Sequence, residues 1–175
     1  LVEKIHQNSK GSSKLASGNA ANNVDLYQVN CSFYDALGQN DSNYLLARAI
    51  QLFCPGISQI YYGGLLAAEN DVTLLQRTGV GRDINRPYFN QDTVNVALQK
   101  PVVKALLNLI KLRRSMQAFN GSFSQSLTDD SYQLSWQHQG HTASLTLALS
   151  NLTATLSWQN EDAAPEHTVL NSLLA

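Results

Sequence analysis

The sequence comprises 175 residues, of which 43% are hydrophobic and only 14% are charged. This length is sufficient for a domain with a core of its own. The formal net charge of −1 gives no electrostatic reason to expect nucleic acid or an anionic membrane as a partner. The longest apolar runs break off within about ten residues, and they are therefore too short to span a bilayer.

The start of the chain and its two cysteines give the first expectations. The sequence opens at Leu1, without an initiator Met or a signal peptide, so we expect a segment of a longer protein. Neither Cys31 nor Cys54 belongs to a CxxC pair, and no His lies at metal-ligand spacing from either one. We therefore expect buried free thiols, a reducing cytoplasm as the location, and no metal or cofactor.

The beginning of the chain divides into a polar part and a more apolar part. Residues 1–24 are rich in Ser, Asn and Gly, a composition that predicts a long loop, and long loops are usually functional or disordered. Residues 24–34 are β-branched and aromatic in part, which predicts a short strand or an extended segment.

The next stretch has the pattern of a helix followed by a strand. Asp41 or Ser42 can cap a helix whose apolar residues continue at helical spacing over 44–53, and Pro55-Gly56 stops it. The apolar run 57–62 then predicts a buried strand. This order is typical of an α/β unit and is the pattern expected of the last repeats of a (β/α)8 barrel.

A second helix and a change of period follow. Asp92 can cap a helix, Pro101 suits a first helical turn, and Asn120-Gly121 ends the apolar helical face. From residue 122 onward apolar and polar residues alternate, with turn signals at Asp129-Asp130, Gln139-Gly140 and Ser150-Asn151. This period predicts a small antiparallel β-domain of three or more strands, with Trp136 and Trp158 in its core.

Several long segments carry a family resemblance. They are YQVNCSFYDALGQND (27–41), YLLARAIQLFCPGISQIYYGGLLAAEND (44–71), VGRDINRPYF (80–89), PVVKALLNLIKLRR (101–114) and AFNGSF (118–123). In order and spacing they resemble the sucrose phosphorylases, which belong to the α-amylase-like glycoside hydrolases. Two positions depart from the family pattern: Gly63 stands where Val is common, and Pro87 where His is common. These departures bear on substrate preference.

The resemblance implies an α/β fold, namely the C-terminal part of a (β/α)8 TIM barrel with an inserted loop region, followed by a small antiparallel β-domain. Residues 1–40 would form the inserted region, 41–121 the last barrel repeats and 122–175 the β-domain. The implied chemistry is a retaining double displacement by an Asp nucleophile, a Glu acid/base and a stabilising Asp. In the family that last Asp directly follows a His. No histidine here precedes an Asp, so we expect all three carboxylates upstream of Leu1.

The resemblance implies substrate contacts for Asp25, Leu26, Tyr27 and Gln28, which match the acceptor-site loop of the family. It implies that this loop takes two poses. In one, Asp25 and Gln28 hydrogen-bond the fructosyl unit; in the other, the Tyr27 hydroxyl helps to hold phosphate. A carboxylate repels a phosphate dianion, so a movable Asp25 suits an enzyme that must accept both ligands. The plainer alternative is an ordinary strand with a surface Asp and a core Tyr.

Arg82 matches the family arginine that bonds the glucose hydroxyls. A guanidinium fork suits vicinal hydroxyls and carboxylates alike, so the alternative is a surface ion pair in which Asp83 pairs with Arg82 or with Arg86.

Other candidates for a site are weaker. Tyr61 and Tyr62 are expected in the core rather than as platforms for a sugar. Glu69 and Asp71 are close in sequence, but nothing fixes the separation that a catalytic carboxylate pair needs.

The leading hypothesis is an enzyme that converts sucrose and phosphate to α-glucose 1-phosphate and fructose. Phosphorylases of sucrose 6′-phosphate or of glucosylglycerate share the scaffold, and Tyr27-Gln28 favours plain sucrose. A hypothesis of another class is a glycan-binding or association module formed by residues 122–175. The chain by itself is expected to be inactive, because a few repeats cannot close a barrel and would leave apolar faces open.

Overall fold

A computed structural model describes residues 1–19 and 29–175 of the chain. It divides them into two compact units, Leu1–Tyr44 with Ile60–Val103 and Leu45–Gln59 with Lys104–Ala175. No helix within the described ranges has both the length and the apolar character that a bilayer crossing requires.

The elements follow one another along the chain. The α-helices are α1 (Val2–Asn8), α2 (Ser12–Asn19), α3 (Phe33–Ala36), α4 (Asp41–Phe53), α5 (Tyr62–Leu65), α6 (Val72–Thr78), α7 (Gln91–Ala97) and α8 (Pro101–Ser115). Short 3-10 helices cover Gly81–Asn85, Gln117–Asn120 and Leu170–Leu174. The strands are β1 (Ser122–Leu127), β2 (Ser131–His138), β3 (His141–Ala148), β4 (Ala154–Gln159) and β5 (Glu166–Val169).

The long loop predicted over 1–24 is wrong for its described part, which forms α1 and α2. The abundance of serine suggested a loop, but the serine hydroxyls instead donate hydrogen bonds to backbone carbonyl groups three or four residues earlier. Ser12 Oγ donates to Ser9 O at 2.8 Å and Ser17 Oγ donates to Ser13 O at 2.9 Å. Because Ala16 is small, this helix packs closely on Leu75 and Ile84, which are fully buried with it.

A short strand or an extended segment was predicted over 24–34; no strand forms at 29–32, where Ser32 is extended, and the prediction is wrong from Phe33, where helix α3 begins. Residues 24–28 lie outside the described residues. Ser32 caps α3: its hydroxyl accepts a hydrogen bond from the Asp35 amide at 3.1 Å. This local cap outweighs the strand preference of the aromatic residues that follow it.

The helix predicted after residue 40 is confirmed as α4, with its cap one residue earlier than expected, because Asn40 Oδ1 accepts from the Asn43 amide at 2.9 Å. The following strand is not formed. Residues 57–61 have no regular structure and Tyr62 begins α5. Ile57 is fully exposed. A strand is stable only beside a partner strand, and none pairs with this segment within the described ranges. The barrel repeat is therefore not shown.

The later helices begin near the predicted caps. Asp92 lies in the first turn of α7, whose capping residue is Asn90: its side chain accepts from the Thr93 amide at 2.9 Å. Helix α8 begins at Pro101, as predicted. It ends at Ser115 rather than at Asn120-Gly121, and a 3-10 turn fills the difference.

The antiparallel sheet predicted from residue 122 is confirmed. Five strands pair in chain order, β1 to β5, and the three predicted turns lie between them. Leu134, Leu145 and Leu156 stand opposite one another in register, and all three are buried. Gly121 leads into β1 beside the backbone of Gln137, where a Cβ atom would lie 1.9 Å from the carbonyl oxygen. Only glycine fits this approach.

Trp136 joins the sheet to the helical part of the second unit. Its indole Nε1 donates to the carbonyl oxygen of Phe53, at the end of α4, at 2.8 Å. The Phe119 ring packs between the two, 5.0 Å from Phe53 and 5.5 Å from Trp136, and the Arg113 guanidinium lies 4.4 Å from it. The predicted core position of Trp136 is confirmed, whereas Trp158 is only partly buried.

We predict that Trp136→Phe lowers the free energy of unfolding of the second unit by about 1–3 kcal/mol, because the buried Phe53 carbonyl would lose its donor. Trp158→Phe is the matched control, with an expected loss of about 1 kcal/mol or less. Urea denaturation followed by circular dichroism measures both, since that probe does not depend on the removed indole. Equal losses for the two variants would contradict the role given to the Trp136 hydrogen bond.

Candidate functional site

Of the five predicted substrate contacts, only Arg82 lies within the described residues. Asp25, Leu26, Tyr27 and Gln28 lie outside the described residues. The candidate site is therefore built from its described surroundings in the first unit, which include the turn that carries Arg82.

Arg82 lies in the 3-10 helix Gly81–Asn85, and buried residues of that helix fix its backbone. Ile84 is fully buried and packs against Ala16 and Leu75, and its carbonyl oxygen accepts from the Asp71 amide at 2.7 Å. Gly81 is buried as well. Burial of Gly81 and Ile84 thus fixes the backbone of the turn, while the Arg82 side chain is exposed.

The Arg82 guanidinium forms no ion pair with any described residue, so the surface pair with Asp83 is not found. Its donors therefore have no carboxylate partner among residues 1–19 and 29–175. The planar guanidinium donates through two adjacent N–H groups, which suits two neighbouring hydroxyl groups on a sugar ring.

An exposed aromatic cluster lies in the same unit. The rings of Tyr61 and Tyr62 are 4.2 Å apart between centroids, and Tyr62 meets Phe89 edge-on at 5.9 Å. Tyr61 and Tyr62 are 49% and 46% exposed, so the prediction that they are core residues is wrong. Residues 57–61 form no strand that would bury them. A hydrogen bond with Tyr62, followed by partial burial, raises the pKa of Tyr61.

A buried carboxylate organises the segment that follows residue 28. Asp35 is only 5% exposed. It accepts from the Ser32 hydroxyl at 2.8 Å, from the Asn70 amide at 2.9 Å and from Gln39 Nε2 at 3.3 Å. A buried polar group is tolerated when it is hydrogen-bonded, and these donors meet that requirement.

Asn70 is a second centre of hydrogen bonds, and the sequence analysis missed it. Its Oδ1 accepts from the Ser32 amide at 2.7 Å, while its Nδ2 donates to Ser12 Oγ at 2.9 Å and to Cys31 Sγ at 3.4 Å. A single Asn beside acidic residues gives no signal in the sequence, because its partners lie 38 or more residues away.

The neighbouring carboxylates have structural roles. Asp71 caps α6 by accepting from the Leu74 amide at 2.7 Å. Glu69 is exposed and lies 3.9 Å from Lys100 Nζ. These contacts account for both residues without a catalytic pair.

A cleft of about 610 Å³ also opens in the first unit. Its apolar lining includes Leu66, Val72 and Phe89, and Lys100 contributes a charge. Arg82 does not line it. Among the residues that the structure describes, no group of three His, Cys, Asp or Glu side chains could hold a metal ion.

The amino-acid sequence of the chain is similar to those of several known proteins. No family model matches the chain. Sucrose phosphorylase of Agrobacterium vitis is 54% identical over 159 residues, which is 90% of this chain and 32% of that protein. Sucrose phosphorylase of Bifidobacterium adolescentis is 45% identical over 174 residues, 95% of this chain and 34% of that protein. The chain is a homologue of the sucrose phosphorylases.

The fold of this sucrose phosphorylase homologue is shared with a solved relative. The crystal structure of sucrose 6F-phosphate phosphorylase from Thermoanaerobacter thermosaccharolyticum matches it with a TM-score of 0.80 at 33% identity, covering 91% of this chain and 35% of that one. The resemblance found in the sequence is thus confirmed. The homologue spans about a third of the length of the curated relatives that it matches.

The two cysteines of the homologue differ in environment. Both are free thiols, but only Cys31 is partly buried, and Cys54 is exposed, so the expectation of burial is wrong for Cys54. Burial raises the pKa of the Cys31 thiol, an effect that the hydrogen bond from Asn70 partly offsets.

We predict that iodoacetamide at pH 8 alkylates Cys54 before Cys31, because the thiolate is the reactive form, burial raises the pKa of the Cys31 thiol, and Cys31 is less accessible than the exposed Cys54. Peptide mass spectrometry at timed intervals measures the order. Cys54→Ser and Cys31→Ser report each rate alone. Faster labelling of Cys31 in the Cys54→Ser protein than of Cys54 in the Cys31→Ser protein would be incompatible with the burial described here.

Proposed function

We propose that this chain forms part of an enzyme that transfers a glucosyl group from sucrose to phosphate, giving α-glucose 1-phosphate and fructose. The observation that carries the proposal is the 54% identity to a named sucrose phosphorylase over 90% of the chain. The catalytic carboxylates would come from polypeptide outside these residues. In that longer protein, residues 41–121 would complete a (β/α)8 barrel, whose neighbouring strand would pair with the unpaired segment at 57–61.

Arg82 would bind the glucosyl unit at the donor side. Its turn is anchored by the buried Ile84, and its guanidinium makes no ion pair with the described residues. A donor held by a rigid turn loses little conformational freedom when substrate binds. Hydrogen bonds to the glucose hydroxyls would then hold the anomeric carbon in place while the leaving group and the acceptor exchange.

Asp25, Tyr27 and Gln28 would serve the acceptor side, on the strength of the family resemblance. Fructose departs and phosphate enters, and these ligands have opposite electrostatic requirements. A carboxylate can accept hydrogen bonds from a ketose but repels a phosphate dianion. Leu26 would lie between these contacts as part of the same segment. The two free thiols fit a reducing compartment such as the cytoplasm.

Other acceptors define the second candidate function. Relatives of this chain are named glucosylglycerol phosphorylase, sucrose 6(F)-phosphate phosphorylase and glucosylglycerate phosphorylase. A common binding site for the glucosyl unit, combined with different acceptor-binding residues, would explain why these relatives are named for different substrates. A glycan-binding role for the β-domain has less support, because Trp136 is buried and cannot stack on a sugar.

A chimera tests the reaction. We would replace the matching third of the Agrobacterium vitis protein by this chain and measure fructose release from sucrose with and without phosphate. Release that depends on phosphate is expected, and its rate on sucrose should exceed that on sucrose 6′-phosphate and on glucosylglycerate. A correctly folded chimera without phosphate-dependent release would refute the proposed function.

Within that chimera, we expect Arg82→Ala to lower kcat/KM for sucrose by roughly 10- to 100-fold, the loss typical of charge-assisted hydrogen bonds. Arg77→Ala is the matched control, since Arg77 is another exposed arginine of the first unit, in the last turn of α6. It should keep its kcat/KM within about twofold. Tyr27→Phe should raise the KM for phosphate. Unchanged kinetics in both Arg82→Ala and Tyr27→Phe would refute the residue assignment.

The chain by itself should release no fructose from sucrose and phosphate, because its sequence supplies none of the three carboxylates expected for the chemistry. A coupled assay for glucose 1-phosphate at high protein concentration measures this. Turnover that survives repeated purification would show that the chain carries its own catalytic groups.

A further inference from the structure

We propose that His138 and His141 form a binding site for a divalent first-row transition metal at one end of the β-sheet. The two imidazoles belong to neighbouring strands, because β2 ends at His138 and β3 begins at His141. The two residues stand opposite one another in register. The inference is independent of the proposed function, since both residues lie in the second unit and neither contacts a substrate in that proposal.

The turn between the strands fixes the spacing of the pair. Only Gln139 and Gly140 separate the two histidines, and both have a positive φ, 43° and 81°. Two-residue hairpin loops of this kind match the twist of the strands and hold one register. Residues opposite one another have Cβ atoms about 4.5–5.5 Å apart. From that separation two imidazole nitrogens can both reach one ion, which each must approach to about 2.0–2.1 Å.

Both histidines lie on the same face of the sheet. Side chains alternate along a strand, so this face also carries the next pair along the two strands, Trp136 and Ala143, which is buried. His138 and His141 extend the face to the end of the hairpin, and both are half-buried. The pair therefore lies where the covered face reaches solvent, so an ion can enter while strand pairing holds the backbone.

The His141 ring contains a buried nitrogen without a partner. Its Nδ1 is shielded from solvent, and no described residue forms a hydrogen bond with it. Buried polar atoms are normally hydrogen-bonded, and a bound ion is one explanation for an exception. Neither His138 nor His141 has a side-chain hydrogen bond with another described residue. Coordination of a metal would therefore break no contact between described residues.

The ligand type selects the metal. Imidazole nitrogen suits Ni²⁺, Cu²⁺ and Zn²⁺, whereas Mg²⁺ and Ca²⁺ prefer oxygen ligands. No group of three His, Cys, Asp or Glu side chains within the described ranges could hold an ion, so water would fill the remaining coordination positions. Glu161 packs against the turn, with its Cγ 3.5 Å from the position that a Cβ atom of Gly140 would take. Its negative charge favours a cation nearby.

The pair has no clear signal in the sequence. The expectation of no metal followed from the two cysteines, which have no His at ligand spacing. Two histidines with two residues between them meet only where the chain reverses direction between them, and the register of β2 and β3 shows this reversal.

Isothermal titration calorimetry of the untagged 175-residue chain with NiCl2 tests the site. All proteins carry Cys54→Ser, so that the exposed thiol cannot compete for the ion. We expect one Ni²⁺ per chain and no binding of Mg²⁺. His138→Gln and His141→Gln should each weaken binding roughly tenfold or more, because even changes to groups that merely support a metal ligand cost about 10- to 100-fold. His167→Gln is the matched control: this exposed His stands opposite Ser157, and its loss should change the affinity less than about twofold.

A variant of unchanged composition tests the geometry. His141→Thr combined with Thr142→His moves the imidazole by one position, which turns it to the other face of the sheet. Binding should weaken as much as in His141→Gln, and circular dichroism checks that the sheet is retained. Parental affinity in this variant, or in both His138→Gln and His141→Gln, would overturn the inference.

Protection from chemical modification locates the ion without a substitution at the site. Diethyl pyrocarbonate acylates free imidazoles, and peptide mass spectrometry follows each His separately. At a Ni²⁺ concentration ten times the Kd, modification of His138 and His141 should slow roughly tenfold, while that of His167 should not change. Equal protection of all three histidines, or of none, would contradict the site. Neither experiment involves phosphorolysis, so the proposed function and the metal site can fail separately.

Discussion

The first unit depends on the hydrogen bonds that satisfy the buried carboxylate of Asp35. A carboxylate at 5% exposure is costly unless donors surround it. Ser32 and Gln39 are neighbours of Asp35 in the chain, whereas Asn70 lies 35 residues further on, so the carboxylate joins its own segment to the one around residue 70. The same requirement fixes the start of α3, because the Ser32 hydroxyl both donates to Asp35 and caps the helix. A polar group inside this unit thus determines where backbone segments meet.

Much of the fold could be predicted from local pattern, and the failures have a common cause. Helices α4 and α8 and the antiparallel sheet carry strong periodicity, and each was found where the sequence predicts it. The errors fall on segments whose structure depends on distant partners. Residues 1–24 have the composition of a loop, yet α2 forms because Ala16 packs on Leu75 and Ile84. The strand expected over 57–62 lacks a partner strand within the described ranges.

The candidate site divides in the same way. Arg82 was predicted as a substrate contact through a family resemblance that spans long runs of sequence, and the structure places its exposed side chain on a 3-10 turn in which Ile84 is buried. Asn70 carries no comparable signal, since its meaning arises from Ser12, Cys31 and Ser32, which lie far away in the chain. A family resemblance therefore indicated Arg82, whereas nothing in the sequence indicates a residue such as Asn70 that links distant segments.

A phosphorylase that exchanges a ketose for phosphate must hold the glucosyl unit in one position while its acceptor site binds first the ketose and then phosphate. These needs conflict if the same backbone carries both, because a movement that admits phosphate would also displace the glucosyl unit. In this chain the burial of Ile84 with Ala16 anchors both the turn of Arg82 and helix α2, whereas residues 31 and 32 are held by side-chain hydrogen bonds through Asn70. Burial resists displacement over the whole contact, while a small number of hydrogen bonds can be rearranged at modest cost. The turn of Arg82 and helix α2 are therefore attached in the more resistant way, and residues 31 and 32 in the more adjustable one.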